Sequence, residues 1–248
     1  MDLRTHIQAV DDEGRRLAYS IVDFDARVPT CPDWTVRDLL RHTGEVHAWA
    51  RTHITGLRQE RNDDVSTFRT WPVDDDAALV DWYRHGHAAL VEALERADPD
   101  ADFFGFLPGW RGTRFWARRQ AHETAIHRVD AQSVTGAITA TTTEFAVDGI
   151  DEMLNGFFAR RPGRLVSDPP LSFVLHASDA GRAWSVSIGA DGVTTTDDET
   201  KDWARVSGTA FDLYLLLWNR RELEGIEVQG DLAGLAVWRE KAKVYWSF

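Results

Sequence analysis

The stretch Thr35-Val-Arg-Asp-Leu-Leu-Arg-His-Thr-Gly-Glu-Val-His-Ala-Trp-Ala50 reads as a helix from its first residue. Thr35 is a hydroxyl N-cap with Asp38 three residues on, the spacing at which each side chain can satisfy the other's backbone N–H. Val36, Leu39, Leu40, Val46, Trp49 and Ala50 then recur at helical intervals and supply one apolar face. Two prolines in Val28-Pro-Thr-Cys-Pro-Asp-Trp34 break the chain just before it.

Working outward, Leu3 to Phe24 carries the same helical spacing, and Asp74 to Ala97 offers Leu79, Trp82, Tyr83, Leu90, Val91 and Leu94 for one face. Another helix is expected from Thr113 through Trp116, Gln120, Glu123 and His127 to about Gln132, and a shorter one from Thr143 to Arg160. Four long helices and an extra one indicate a bundle. The character changes at Arg160-Arg-Pro-Gly163, where the domain boundary is expected.

Beyond it, Leu171 to His176, Ala183 to Ile188 and Val193 to Thr196 read as strands, the first two joined by a hairpin connection at Asp179-Ala-Gly181. Thr209-Ala-Phe-Asp212 repeats the capping pattern before an apolar helix, Phe211 to Trp218. Gly225 to Gly230 is strand-like, and a last helix is expected over Leu232 to Lys241. The expected architecture is an N-terminal all-α four-helix bundle, residues 1–160, with a smaller C-terminal α+β domain, residues 165–248.

The chain has 248 residues and a formal net charge of -12. That balance argues against nucleic acid, whose phosphates need a basic field. A single cysteine, Cys31, leaves no internal disulfide framework and too few thiols for a zinc knuckle. Cytoplasmic localisation is expected, with no membrane segment and no signal peptide. Oligomeric state, monomer or small homo-oligomer, is left open by the sequence. Eleven tryptophans supply large core and cleft-lining side chains, with Trp34, Trp49 and Trp116 falling near the candidate site.

Glu123 and His127 are the candidate chemistry. A four-residue helical step returns a side chain to within roughly 40° of its starting azimuth, so both can address one ion. His122-Glu123 resembles the start of a zinc-protease motif, but His122 and His127 are five apart and diverge by about 140° on a helix. A third ligand must come from elsewhere. His47 is one choice, with His42, His85 and His87 as rivals, and the spacing alone does not distinguish a metal pair from a solvated one.

The segment from Val28 to His47, with its Val-Pro-Thr-Cys-Pro turn and its Trp-Thr-Val helix start, resembles the opening motif of the mycothiol-dependent maleylpyruvate isomerase family. Ala121-His-Glu-Thr-Ala-Ile-His-Arg-Val-Asp130 is similar to the family's second metal motif, and Thr209 to Arg220 followed by Glu227-Val-Gln-Gly-Asp231 to its second domain. The resemblance implies a DinB-like four-helix metalloprotein with Zn2+ held by His47, Glu123 and His127, water completing the site. Other divalent metals accept the same ligands. One departure is Asn219, where the family commonly has glycine; Asn tolerates a left-handed helix end.

The implied activity is that of a zinc- and mycothiol-dependent isomerase or S-transferase acting on a small electrophile. Thiolate addition to a cis double bond, rotation and elimination would turn maleylpyruvate into fumarylpyruvate. Arg84, Arg220 and Arg221 are the candidate carboxylate contacts, since a guanidinium fork suits that group. Cys31 has no evident base beside it and is read as structural. A metal- or thiol-binding module without turnover and a zinc hydrolase with Glu45 or Asp130 as base are the other readings.

Overall fold

A computed structural model of the protein describes residues 1–72, 75–159, 163, 165–197, 199–200 and 203–244. The chain divides into two compact units, Met1–Thr139 and the residues from Ala140 onward.

The first unit is a bundle of α1 (Leu3–Tyr19), α2 (Val36–Gly56), α3 (Asp76–Arg96) and α4 (Gly112–Ser133), as the apolar spacing predicts. Helix α1 packs on α3 and α4, and α2 packs on both as well. Leu17, Val36, Leu39, Leu40, Leu79 and Tyr83 form the core at one end. At the other end, Trp49, Trp116, Phe106 and Phe115 pack together, mostly edge to face, with ring centroids 5.1–5.9 Å apart.

Local sequence sets the start of α2. The Asp38 N–H donates to Thr35 Oγ1 at 3.2 Å while the Thr35 N–H donates to Asp38 Oδ2 at 2.9 Å, closing the capping box. The prolyl segment before it is an antiparallel ribbon rather than a plain turn: β1 (Arg27–Val28) pairs with β2 (Cys31–Thr35). Helix α1 stops at Tyr19, short of the expected Phe24, where the Ser20 N–H caps the carbonyls of Arg16 and Leu17.

The second unit begins earlier than the sequence suggests. Helix α5 (Thr143–Asp151), which the apolar spacing groups with the bundle, packs on α6 (Ala210–Leu217) within this unit, with the rings of Phe145 and Tyr214 6.4 Å apart. Its expected end and the expected boundary, Arg160-Arg161-Pro162, lie outside the described residues, as does Asp74. A π-helical turn, Glu152–Phe157, continues α5.

A five-stranded sheet follows, in the order β5 (Gly192–Thr196), β4 (Arg182–Gly189), β3 (Leu171–Ala177), β6 (Arg205–Gly208), β7 (Glu227–Gln229). The β3–β4 hairpin turns where Asp179-Ala-Gly181 places it, and β3 pairs with β6 in parallel. Strand β6 escapes sequence reading because Arg205-Val-Ser-Gly208 is too short to show alternation. Helix α7 (Ala233–Lys241) lies so close on β3 that a Cβ at Gly234 would come within 3.0 Å of the Ser172 backbone. Asn219 follows α6 with φ +58°, the left-handed helix end expected of it.

Candidate metal centre

Helices α2 and α4 supply the site. Helix α4 is buried over most of its length, so its polar residues must find partners inside the bundle. Glu123 and His127 are both buried and meet as the four-residue step requires, His127 Nε2 lying 3.2 Å from Glu123 Oε1. The second carboxylate oxygen, Oε2, accepts a 3.1 Å hydrogen bond from Nη2 of Arg119, whose side chain is wholly buried. From α2, His42 brings Nε2 to 3.5 Å from Glu123 Oε1.

One ligand atom from each of His42, Glu123 and His127 lies within 4.8 Å of the others, a spacing at which a single cation can touch all three. His42 Nε2 is sealed from solvent and has no hydrogen-bond partner among the described residues. Such an atom carries the full cost of lost hydration, which an ion would offset. Trp34 covers the pair of imidazoles, its ring centroid 4.7 Å from that of His42 and 5.9 Å from that of His127.

His47 stands elsewhere. Five residues separate it from His42, a turn of about 140° on α2. Its Nε2 is 2.9 Å from Thr124 Oγ1, and its ring lies 5.6 Å from Tyr83 and 5.7 Å from His87. The ligand set expected from the resemblance is His47 with Glu123 and His127; the structure groups His42 with that pair and sets His47 apart from it. The family-like segment leads to two histidines on α2, and the nearer one, His42, faces Glu123 of α4.

The other residues singled out from the sequence are placed as follows. His122 diverges from the site, its ring 6.3 Å from His6 of α1. His87 bonds to the Val10 carbonyl and His85 to the Asp81 carbonyl, at 3.0 and 2.7 Å. Glu45 pairs with Arg69 at 3.2 Å. Arg84 is about half exposed, 3.7 Å from Asp81. In the second unit, Arg220 donates to the Trp218 carbonyl, and Arg221 pairs with Asp212 and donates to the carbonyls of Glu222 and Glu224.

Asp130 does more than the sequence reading gives it. It is fully buried, and its Oδ2 lies 2.9 Å from His127 Nδ1 while its Oδ1 accepts from Thr30 Oγ1 at 2.6 Å. Cys31 Sγ approaches the same Oδ2 at 3.7 Å.

The charges follow from these contacts. Burial works against ionising Glu123, but His127, His42 and Arg119 outweigh it and hold its carboxyl well below the usual carboxylate range. Burial likewise opposes the His127 imidazolium, yet Asp130 and Glu123 prevail and push its pKa up to about 9. Burial lowers His42, and it lowers His47 further, leaving both imidazoles neutral at pH 7. At neutral pH these contacts favour an ionised Glu123 and a protonated His127 that lies between it and Asp130.

Two neutral-type nitrogen donors and one carboxylate are the donor set of open, catalytic zinc sites. The family model described as "Mycothiol maleylpyruvate isomerase N-terminal domain" matches residues 7–132, and the one described as "MDMPI C-terminal domain" matches residues 144–236. Crystal structures of the mycothiol-dependent maleylpyruvate isomerase, and of a mutant of it with one histidine replaced by alanine, are similar in fold. Each has a TM-score of 0.64 at 15% identity, over 92% of this chain and 93% of that chain. No curated protein matches the chain in sequence. Among the described residues, no helix is long and apolar enough to cross a membrane.

Proposed function

The chain belongs to the mycothiol maleylpyruvate isomerase family, and on that premise we propose that it is a zinc enzyme that uses a low-molecular-weight thiol, mycothiol, against a small electrophile, with His42, Glu123 and His127 as the metal ligands. The observation that carries this reading is the convergence of those three side chains, Glu123 and His127 buried and His42 partly so, with their ligand atoms within 4.8 Å of one another.

A zinc ion held there supplies Lewis acidity, lowering the pKa of a bound thiol towards neutrality. The chain's own residues arrange the rest. Arg119 occupies Glu123 Oε2 and leaves Oε1 as the oxygen that would hold the ion. Trp34 shields one side of the imidazoles from water and gives a thiol an apolar wall. A thiol in that setting supplies reversible addition and elimination at a double bond conjugated to a carbonyl, the chemistry of cis–trans isomerisation, or simple transfer if it stops at addition.

The test is to load the full chain with zinc and incubate it with mycothiol and a panel of electrophiles that includes maleylpyruvate. Thiol-dependent isomerisation or adduct formation that disappears in Glu123→Ala and His127→Ala supports the reading. Turnover that needs no thiol, or wild-type protein that takes up no zinc, overturns it.

A further inference from the structure

The ribbon before α2 reaches into the metal centre through one carboxylate. Asp130 is on α4, one helical turn beyond His127, and none of its side chain is exposed. An ionised carboxylate in such a place must be held by donors on its oxygens. Oδ1 accepts the Thr30 hydroxyl at 2.6 Å from the β1–β2 turn, and Oδ2 takes His127 Nδ1 at 2.9 Å, with the Cys31 thiol 3.7 Å away. Ser133 Oγ lies 3.4 Å from the same Thr30 hydroxyl and donates to the Asp130 carbonyl at 2.7 Å. Carboxylate and imidazole are therefore fixed from two elements of the fold.

We propose that Asp130, anchored by Thr30, is a positioning residue for the metal centre: it keeps the proton on Nδ1 of His127 and thereby presents the Nε2 lone pair to an ion shared with Glu123 and His42. This inference rests on the metal reading above. A ligating imidazole offers one nitrogen to the ion and needs an acceptor on the other, which fixes both tautomer and ring orientation and raises the donor strength of the first. His127 Nδ1 has that acceptor, and its Nε2 points at Glu123 Oε1, 3.2 Å away. The same contacts account for the Val-Pro-Thr-Cys-Pro segment. It sets Thr30 and Cys31 against the Asp130 carboxylate, and so serves the site without supplying a ligand.

The bland alternative is that Asp130 only ties α4 to the ribbon. Asp130→Asn separates the two, because the amide keeps the volume and can still accept from Thr30 while losing the charge that orders the imidazole. Zinc affinity of the full chain is measured by competition with a chromophoric chelator, the visible spectrum of the cobalt-substituted protein reports the ligand geometry, and thermal unfolding of the zinc-free protein reports the tie. A positioning role gives about a 10- to 100-fold loss of zinc affinity in Asp130→Asn and an altered cobalt spectrum, beside whatever the zinc-free unfolding transition loses with the His127 pair. Thr30→Val, which leaves the carboxylate in place, shows a smaller loss in the same direction and serves as the readout should the Asn variant not fold. Unchanged zinc affinity and cobalt spectrum in a folded variant, with only the unfolding transition lowered, overturn the inference while leaving the metal reading intact. Failure of the wild type to bind zinc overturns both.

Discussion

His42 and His47 share helix α2 but face different walls of the bundle interior: His42 Nε2 lies 3.5 Å from Glu123 Oε1, whereas His47 Nε2 lies 2.9 Å from Thr124 Oγ1. The two substitutions should therefore separate binding from stability. His42→Ala is expected to reduce zinc stoichiometry towards zero and to cost less stability than His47→Ala, since its Nε2 makes no contact as short as that of His47 with Thr124. His47→Ala is expected to keep its zinc and lose about 2 kcal/mol of stability, from the vacated core volume and the broken bond to Thr124. Metal analysis beside urea unfolding checks both, and a His47 variant that loses its zinc would return that residue to the ligand set.

Thr35 caps the helix that carries His42. Removing its hydroxyl in Thr35→Ala leaves the Asp38 N–H without its partner at 3.2 Å and opens one half of the capping box. The expected cost is about 1 kcal/mol, the usual value for losing such a cap. Urea unfolding measures it; Thr35→Ser should recover most of the loss.

The elements that sequence reading places best are those whose pattern is local. The α2 cap, the helical faces of α2 to α4 and the β3–β4 hairpin all depend on residues within a few positions of one another, and the structure has them where spacing predicts. What depends on distant partners is read less well. Nothing in Thr143 to Ile150 says that its apolar face belongs with α6 rather than the bundle, because the partner, Tyr214, lies far along the chain. The site shows the same division. Glu123 and His127 follow from one helical step, while which of His42 and His47 faces that pair depends on the azimuth of α2 relative to α4, which neither helix's own sequence contains. Asp130, three residues beyond His127, is legible as a neighbour, but its tie to Thr30 crosses the whole unit.

Gly14 of α1 lies against His87 and Tyr83 of α3. A Cβ there would stand 2.2 Å from His87 Nε2, the atom that bonds the Val10 carbonyl at 3.0 Å. Two effects oppose each other in Gly14→Ala. Replacing glycine inside a helix gains about 1 kcal/mol in propensity, while displacing a buried ring and its hydrogen bond costs about 1–3 kcal/mol. Overlap as severe as 2.2 Å puts the cost at the upper end, so the variant should be less stable than the wild type by about 1–2 kcal/mol. A stabilised variant in urea unfolding would show that His87 moves aside freely.

His53 makes the fold sensitive to acid. Its ring stacks between Phe104 and Trp116, with both centroids 5.0 Å away, and its Nδ1 lies 2.9 Å from the Trp49 carbonyl while Nε2 accepts the Asn62 N–H at 3.0 Å. Burial is the main cause that holds its pKa down to about 4, against the ordinary 6.5, although the Trp49 carbonyl favours the charged form. A proton on Nε2 would confront the Asn62 N–H donor, so the folded protein keeps the ring neutral. Because the folded pKa lies below the unfolded one, the contribution to stability is complete above pH 6.5. It declines as the pH falls and is exhausted near pH 4, where the folded state also takes up the proton. The shift corresponds to about 3 kcal/mol over that window. His47 and His87, whose pKa values burial also lowers, add losses of the same sign. Comparison with His53→Gln isolates the one ring: the stability gap between wild type and variant should narrow as pH drops from 7 to 4, and a constant gap across that range would exclude His53 as a source of the acid sensitivity.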